Sequence, residues 1–214
     1  TNKISGINIT NPYKRKINSY MISVSNDAKK IDAINSIYKI NSQLIGDNTD
    51  WYGFLESLKH HNINLRDYNI IIIGAGGASR SIIYSLQING IEDFQIYNRT
   101  KINNIVVNNK IYSTLELKKL ERNIIPKTLI INCTPIDVIN DIFTKKILKN
   151  VKIFYDLNYH QSKFYSILNN QDIQIIEGLD MLIYQAIKSI ELWLNKEIIS
   201  KINVNDIKQY LKEF

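Results

Sequence analysis

The chain has 214 residues, 44% of them hydrophobic, enough for one large domain or two small ones around a buried core. Its formal net charge of +7 is scattered along the sequence with no dense Arg/Lys block or RNA-binding signature, which argues against a nucleic-acid partner. Polar Asn and Lys interrupt every Ile-rich run, so no membrane-spanning helix is expected, and the single cysteine excludes an internal disulfide and a multi-cysteine metal site.

In chain order, "GINIT" (6–10) reads as a short strand, and the turn after it brings Asn8, Thr10 and Lys14 close together. "NSQLIGD" (41–47) reads as a second short strand, and "NTDWYGFLESLKHH" (48–61) as a helix opening on an Asn/Thr/Asp cap. From residue 68, apolar runs alternate with helix-length segments: "YNIIIIG" (68–74), "DFQIYN" (93–98), "KTLIINCTP" (127–135), "VKIFYDLNY" (151–159) and "IQIIEG" (173–178). Such runs suit a parallel sheet covered on both faces, a doubly wound α/β unit. "LDMLIYQAIKSIELWL" (179–194) has helical apolar spacing, and "VNDIKQYLKEF" (204–214) reads as a closing amphipathic helix. The flanking segments are expected to form a second, discontinuous lobe. Cys133, near a strand end, reads as a small buried hydrophobe in a reducing compartment. The low cysteine content fits a reducing compartment, and a cytoplasmic protein is expected.

"IIIIGAGGASRSIIYSL" (70–86) places a buried strand, a Gly-rich turn and a helix in succession. Gly74 permits the tight turn, Gly76 lets backbone approach a pyrophosphate, and Ala78 and Ser79 let the helix pack closely on the sheet. This context marks a dinucleotide site. An NAD-specific site carries an acid at the end of the next strand to bond the ribose hydroxyl. Here "YNRT" holds Asn98, Arg99 and Thr100 instead, and a guanidinium suits a 2′-phosphate, so the cofactor is expected to be NADP.

Reduction of a ketone by NADPH also needs a proton donor at the carbonyl oxygen. Lysine, with an unperturbed pKa of about 10.4, serves if a carboxylate holds it in place while its surroundings ease proton release. Asp50 in "GDNTDWYG" (46–53) is a candidate, although the same run also reads as a helix cap. Spacing alone does not pair it with Lys14.

Together these segments resemble the shikimate dehydrogenase family. "NITNPYK" (8–14), "AIN" (33–35), "GDNTD" (46–50), "GAGGASR" (74–80), "NRT" (98–100), "YDLNY" (155–159) and "GLDMLIYQA" (178–186) follow that family's motifs in order. The resemblance implies two α/β lobes with catalysis in the cleft between them: residues 1–48 and 180–214 in a substrate lobe, and 49–179 in a Rossmann-like NADP lobe. It implies NADP-dependent interconversion of 3-dehydroshikimate and shikimate in aromatic amino-acid biosynthesis. On the matching positions, Lys14 is the acid/base and Asp50 its partner, with Thr10, Asn35, Tyr159 and Gln185 adding substrate contacts. Gly74, Ala75, Gly76, Gly77 and Ala78 would bind the cofactor with Asn98, Arg99, Thr100, Lys101, Ile102 and Asn103, and Leu157 and Gly178 would lie beside the nicotinamide. A monomer or homodimer is expected.

Three departures from the family pattern stand out. The sequence starts at Thr1 without the family's opening segment, whose paired-serine motif binds the substrate carboxylate. "WY" (51–52) replaces a Gly-containing pair and is expected to crowd the helix start, and "IDV" follows "CTP" (133–135) in place of Gly-Met. The competing readings are a family member that accepts quinate, a non-catalytic dinucleotide-binding relative, and a Rossmann domain that binds nothing. Lys14 with Asp50 speaks against the second, and Gly76 with Arg99 against the third.

Overall fold

The computed structural model describes residues 4–100, 104–135, 148–158 and 172–212, with Tyr165 and Leu168. The chain forms β1 (Gly6–Asn8), α1 (Tyr13–Lys16), β2 (Ser23–Val24), α2 (Asn26–Ile31), β3 (Ser36–Ile40), β4 (Gln43–Asp47) and α3 (Asp50–His60). It continues through β5 (Asn69–Ile73), α4 (Gly77–Ile88), β6 (Phe94–Asn98), β7 (Asn104–Val107), β8 (Lys110–Ser113) and β9 (Leu115–Glu116). β10 (Thr128–Asn132), β11 (Val151–Asp156), β12 (Gln174–Glu177), α5 (Leu179–Leu194) and α6 (Val204–Lys212) follow, with short 3-10 turns between some of these elements.

The larger sheet is parallel throughout, in the order β12-β11-β10-β5-β6-β9. Its two halves run outward from the central pair β5 and β10. This is the strand order of a doubly wound dinucleotide-binding sheet, with its switch point between those strands. The pleat sorts the Ile run of β5: Ile70 and Ile72 face a core shared with α3 and α4, while Ile71 and Ile73 face the opposite core. Burying each such side chain stabilises the sheet by roughly 1.5–3 kcal/mol. The apolar runs in 68–178 therefore form the expected sheet.

The smaller sheet, β1-β3-β4-β2, is mixed: only β2 and β4 run parallel. β3 was not anticipated, although "SIYKI" precedes a tight hairpin in which Asn41 and Ser42 both take positive φ, 46° and 68°. A second such turn, Asn108-Asn109, joins β7 to β8. β1 ends at Asn8, two residues before the expected strand end, and the chain then turns through a cis Asn11–Pro12 peptide into α1.

α5 couples the two sheets. Trp193 lies against Gly6 of β1 and donates from Nε1 to Ser36 Oγ at 3.0 Å. Nearer its start, α5 packs on α3 around Gly53, where an added Cβ would stand 2.6 Å from the Met181 carbonyl oxygen and 2.8 Å from Gln185 N. At its first turn, buried Asp180 takes His61 Nε2 at 2.8 Å and Lys208 Nζ at 2.7 Å, joining α3, α5 and α6. Among the described residues, no helix is long and apolar enough to cross a membrane.

Two consequences can be measured. Alanine normally favours a helix over glycine by about 1 kcal/mol, but at Gly53 overpacking against α5 should reverse the sign, so Gly53→Ala should lose about 2 kcal/mol in urea unfolding. Burial raises the Asp180 pKa, but bonds from His61 and Lys208 outweigh it, and the carboxyl sits below its ordinary value. Its contribution is therefore present above the unfolded value of about 3.9 and is lost as pH falls through the folded one. Asp180→Asn should unfold more easily than the parent at neutral pH, with the gap closing below about pH 4 in the same titration.

Candidate active site

The carboxyl ends of the two central strands open toward the turn that carries Lys14. β4 ends at Asp47, and residues 48–50 lead directly into α3. Asn48 holds this bend: its Nδ2 donates to the Ala33 carbonyl at 2.9 Å, and its Oδ1 accepts Asp50 N at 3.0 Å and Ser81 Oγ at 3.2 Å. The capping work read from the sequence thus falls partly to Asn48. The Asp50 side chain is free to point elsewhere.

Its Oδ2 lies 2.8 Å from Lys14 Nζ, with the two side chains 5% and 16% exposed, so the pair is only slightly open to water. Its Oδ1 accepts Asn35 Nδ2 at 2.8 Å. Asn35 is itself buried and also meets Thr49 Oγ1 at 3.0 Å and Gln185 Oε1 at 3.1 Å through Nδ2, while its Oδ1 accepts Thr49 N at 2.7 Å. The Lys14 backbone is fixed as well, because its carbonyl accepts Ile34 N at 2.7 Å. Lys14, Asn35, Asp50 and Gln185, widely separated in sequence, form one connected group. Thr10 is exposed on the same turn, its carbonyl accepting Tyr13 N at 2.9 Å. Tyr159 lies outside the described residues.

The phosphate loop comes up against this group. A Cβ added at Gly77, the first residue of α4, would stand 3.6 Å from Lys14 Cβ. Gly74 takes φ 110° where a Cβ would press on Thr134, so the loop needs glycine there. Among the described residues, a Cβ added at exposed Gly76 would meet nothing within 4 Å, and no side chain caps α4. Open space before uncapped helix N–H groups fits a pyrophosphate, and Ala75 and Ala78 add little bulk there. Leu157 and Gly178 touch at the ends of β11 and β12, with Leu157 N donating to the Asn132 carbonyl at 2.9 Å and Gly178 N to the Asn158 carbonyl at 3.0 Å.

At the end of β6, Asn98 Nδ2 bonds the Thr100 carbonyl at 2.7 Å, and Arg99 is exposed. Lys101, Ile102 and Asn103 lie outside the described residues. The sequence reading missed Glu116, which β9 places in register beside Asn98. Lys118 Nζ lies 2.7 Å from it, offsetting a charge that would oppose a 2′-phosphate. Also missed was the lattice Asn132–Asp156–Asn158, in which Asp156 Oδ1 accepts both asparagine amides, at 3.0 and 2.7 Å. Burial raises the Asp156 pKa against these bonds. Polar residues at the ends of otherwise apolar strands were the available signal.

Trp51 packs edge-on against Tyr84 of α4 at 5.9 Å and lies partly buried against the main core. Cys133 is half-buried, and burial pushes its thiol up to about 12 despite a smaller opposing pull from Ser79.

A family model described as the shikimate dehydrogenase substrate binding domain matches residues 1–37, and one described as shikimate / quinate 5-dehydrogenase matches residues 56–158. Shikimate dehydrogenase (NADP(+)) of Aquifex aeolicus (strain VF5) is 32% identical over 213 residues, covering 96% of this chain and 78% of the relative. The chain belongs to the shikimate dehydrogenase family. The crystal structure of shikimate dehydrogenase 1 from Peptoclostridium difficile matches with a TM-score of 0.84 at 32% identity, covering 98% of this chain and 78% of that one. A shikimate 5-dehydrogenase from Thermus thermophilus, solved in complex with NADP(H) and shikimate, matches with a TM-score of 0.70 at 25% identity, covering 90% and 74%. These shikimate dehydrogenases share the two-sheet architecture with the present chain.

The raised thiol predicts a chemical result. At pH 8 iodoacetamide should leave Cys133 unmodified in the folded protein and label it rapidly in urea, since the thiolate is the reactive form. Mass spectrometry of the intact protein reads both states.

Proposed function

We propose that this chain interconverts 3-dehydroshikimate and shikimate, with Lys14 as the proton carrier and Asp50 as its partner, in aromatic amino-acid biosynthesis. As a member of the shikimate dehydrogenase family it is an NADP-dependent oxidoreductase. The observation that carries the residue assignment is the Lys14 Nζ–Asp50 Oδ2 pair, set at 2.8 Å against the first glycine of the phosphate-loop helix.

Bound NADP supplies the hydride acceptor for alcohol oxidation and, reduced, the hydride donor for ketone reduction. The chain's own residues manage the proton and the geometry. In the oxidising direction the substrate hydroxyl proton passes to Lys14 Nζ as hydride leaves the same carbon, and in reduction Lys14 returns it to the carbonyl oxygen. Asp50 holds the amine in place through Oδ2 and accepts Asn35 at Oδ1, so it is fixed from both sides. Asn35 and Gln185 line the substrate side with Thr10, and the family motif assigns Tyr159 a substrate contact. The helix N-terminus at Gly76–Ala78 receives the pyrophosphate, Asn98–Asn103 the adenosine phosphate, and Leu157 and Gly178 the nicotinamide. The substrate lobe comprises residues 1–48 and 180–214, and the NADP lobe residues 49–179.

Steady-state kinetics test it, with shikimate and quinate each supplied with NADP or NAD. Lys14→Ala should lower kcat by about a thousandfold, within the range for a lost general acid/base. Arg99→Ala should raise KM for NADP by about tenfold and leave NAD use unchanged, as expected when one charged hydrogen bond is lost. Undiminished turnover in the Lys14 variant, with NADP still bound, would remove the catalytic assignment.

A further inference from the structure

Next to Lys14, a second charged cluster takes no part in this chemistry. The Arg15 guanidinium donates to Asp32 Oδ2 from Nε at 3.1 Å and Nη2 at 2.8 Å, and Asn18 Nδ2 donates to Asp32 Oδ1 at 3.0 Å. Arg80, three residues past Gly77 in α4, brings Nη1 to within 3.2 Å of the same Oδ2. Arg80 is 8% exposed; its Nη1 also donates to the Val106 carbonyl at 2.7 Å, and its Nε has no hydrogen-bond partner among the described residues. One carboxylate therefore serves two guanidiniums, one beside Lys14 and one in the phosphate-loop helix.

An exposed Arg15–Asp32 pair alone would be weak, since its side chains are 56% and 44% exposed. Arg80 changes the balance. Its burial and the like charge of Arg15 both disfavour the guanidinium, and Asp32 opposes them. Removing that carboxylate would leave a largely buried cation facing another cation. The position of Asp32 is also fixed by backbone: it ends α2 in the left-handed region at φ 59°, with its N–H on the Ala28 carbonyl at 2.9 Å. The same α2–α4 seam is held by Tyr84 Oη on Asp27 Oδ1 at 2.6 Å, and the β7–β8 turn joins α2 through Asn108 N on the Lys30 carbonyl at 2.7 Å.

We infer that Asp32 is a positioning residue, whose shared carboxylate clamps the Lys14 turn to the phosphate-loop helix and so sets the proton carrier against the cofactor. This rests on the reading of Lys14 given above. Asp32→Asn keeps a residue that tolerates the left-handed backbone and removes the charge, while Arg15→Gln cuts only the arm toward Lys14.

Amide hydrogen exchange of the ligand-free protein tests the clamp without turnover. Either substitution should speed exchange of residues 13–18 by about tenfold, with β5 and β10 unchanged, and the double variant should exchange no faster than the singles because both remove one linkage. In kinetics the same variants should lower kcat several-fold at constant KM for NADP. Native exchange at residues 13–18, or effects of the two substitutions that multiply, would overturn the clamp. Lys14→Ala separates the two claims: turnover that survives it defeats the proton-carrier reading, while the exchange rates still decide whether the clamp exists.

Discussion

The buried amide of Asn35 is the constraint on which the cleft depends. Its orientation is fixed from both sides, because the Asp50 carboxylate can only accept and the Thr49 N–H can only donate. An aspartate would set two carboxylates in contact, and a leucine would leave Thr49 N and Asp50 Oδ1 without a partner in a site with little water. The residue also joins three separate parts of the chain: β3 begins at the next residue, α3 begins at Asp50, and Gln185 belongs to α5. Moving any one of these elements disturbs the support behind Lys14. Thr49 extends the network to Ser189 Oγ at 3.0 Å, a second link between the start of α3 and α5.

The larger sheet fixes the other half of the site. Parallel strands direct all their carboxyl ends one way, and the reversal of winding between β5 and β10 leaves a crevice at the carboxyl ends of those strands. Gly74 lies at the mouth of that crevice, with Cys133 N bonded to the Ile73 carbonyl at 2.8 Å. Leu157 and Gly178 follow along the same rim. Their placement follows from strand order and register. The side chain at 157 matters less than the backbone that carries it.

Much of this was legible in the sequence, and the misses have physical causes. Continuous Ile runs are buried on both faces, so they identify parallel strands without needing alternation, and the glycines after the first run identify its turn. β3 and the β7–β8 hairpin escaped because their turns use Asn-Ser and Asn-Asn in a chain where asparagine is everywhere, which dilutes the local signal. The Lys14–Asp50 pairing could not be derived from spacing, since 36 residues and three strands of the smaller sheet separate them. The family motifs supplied the expectation, and the fold supplied the distance. Asp32, Arg80 and Glu116 went unnoticed for a different reason: a charged residue in a polar loop or helix reads as solvated until its partner is known.

The charges around the loop follow a common logic. The uncapped N-terminus of α4 carries partial positive charge, and Lys14 and Arg80 add full positive charges beside it. This arrangement favours a polyanionic ligand but repels itself in the ligand-free protein. Each of the two cations therefore has one carboxylate held by defined backbone: Asp50 at the start of α3 for Lys14, and Asp32 at the left-handed end of α2 for Arg80. Neither acid comes from the phosphate loop itself. An acid there would meet the pyrophosphate directly, whereas acids on α2 and α3 offset the cations from behind and leave the helix N–H groups open.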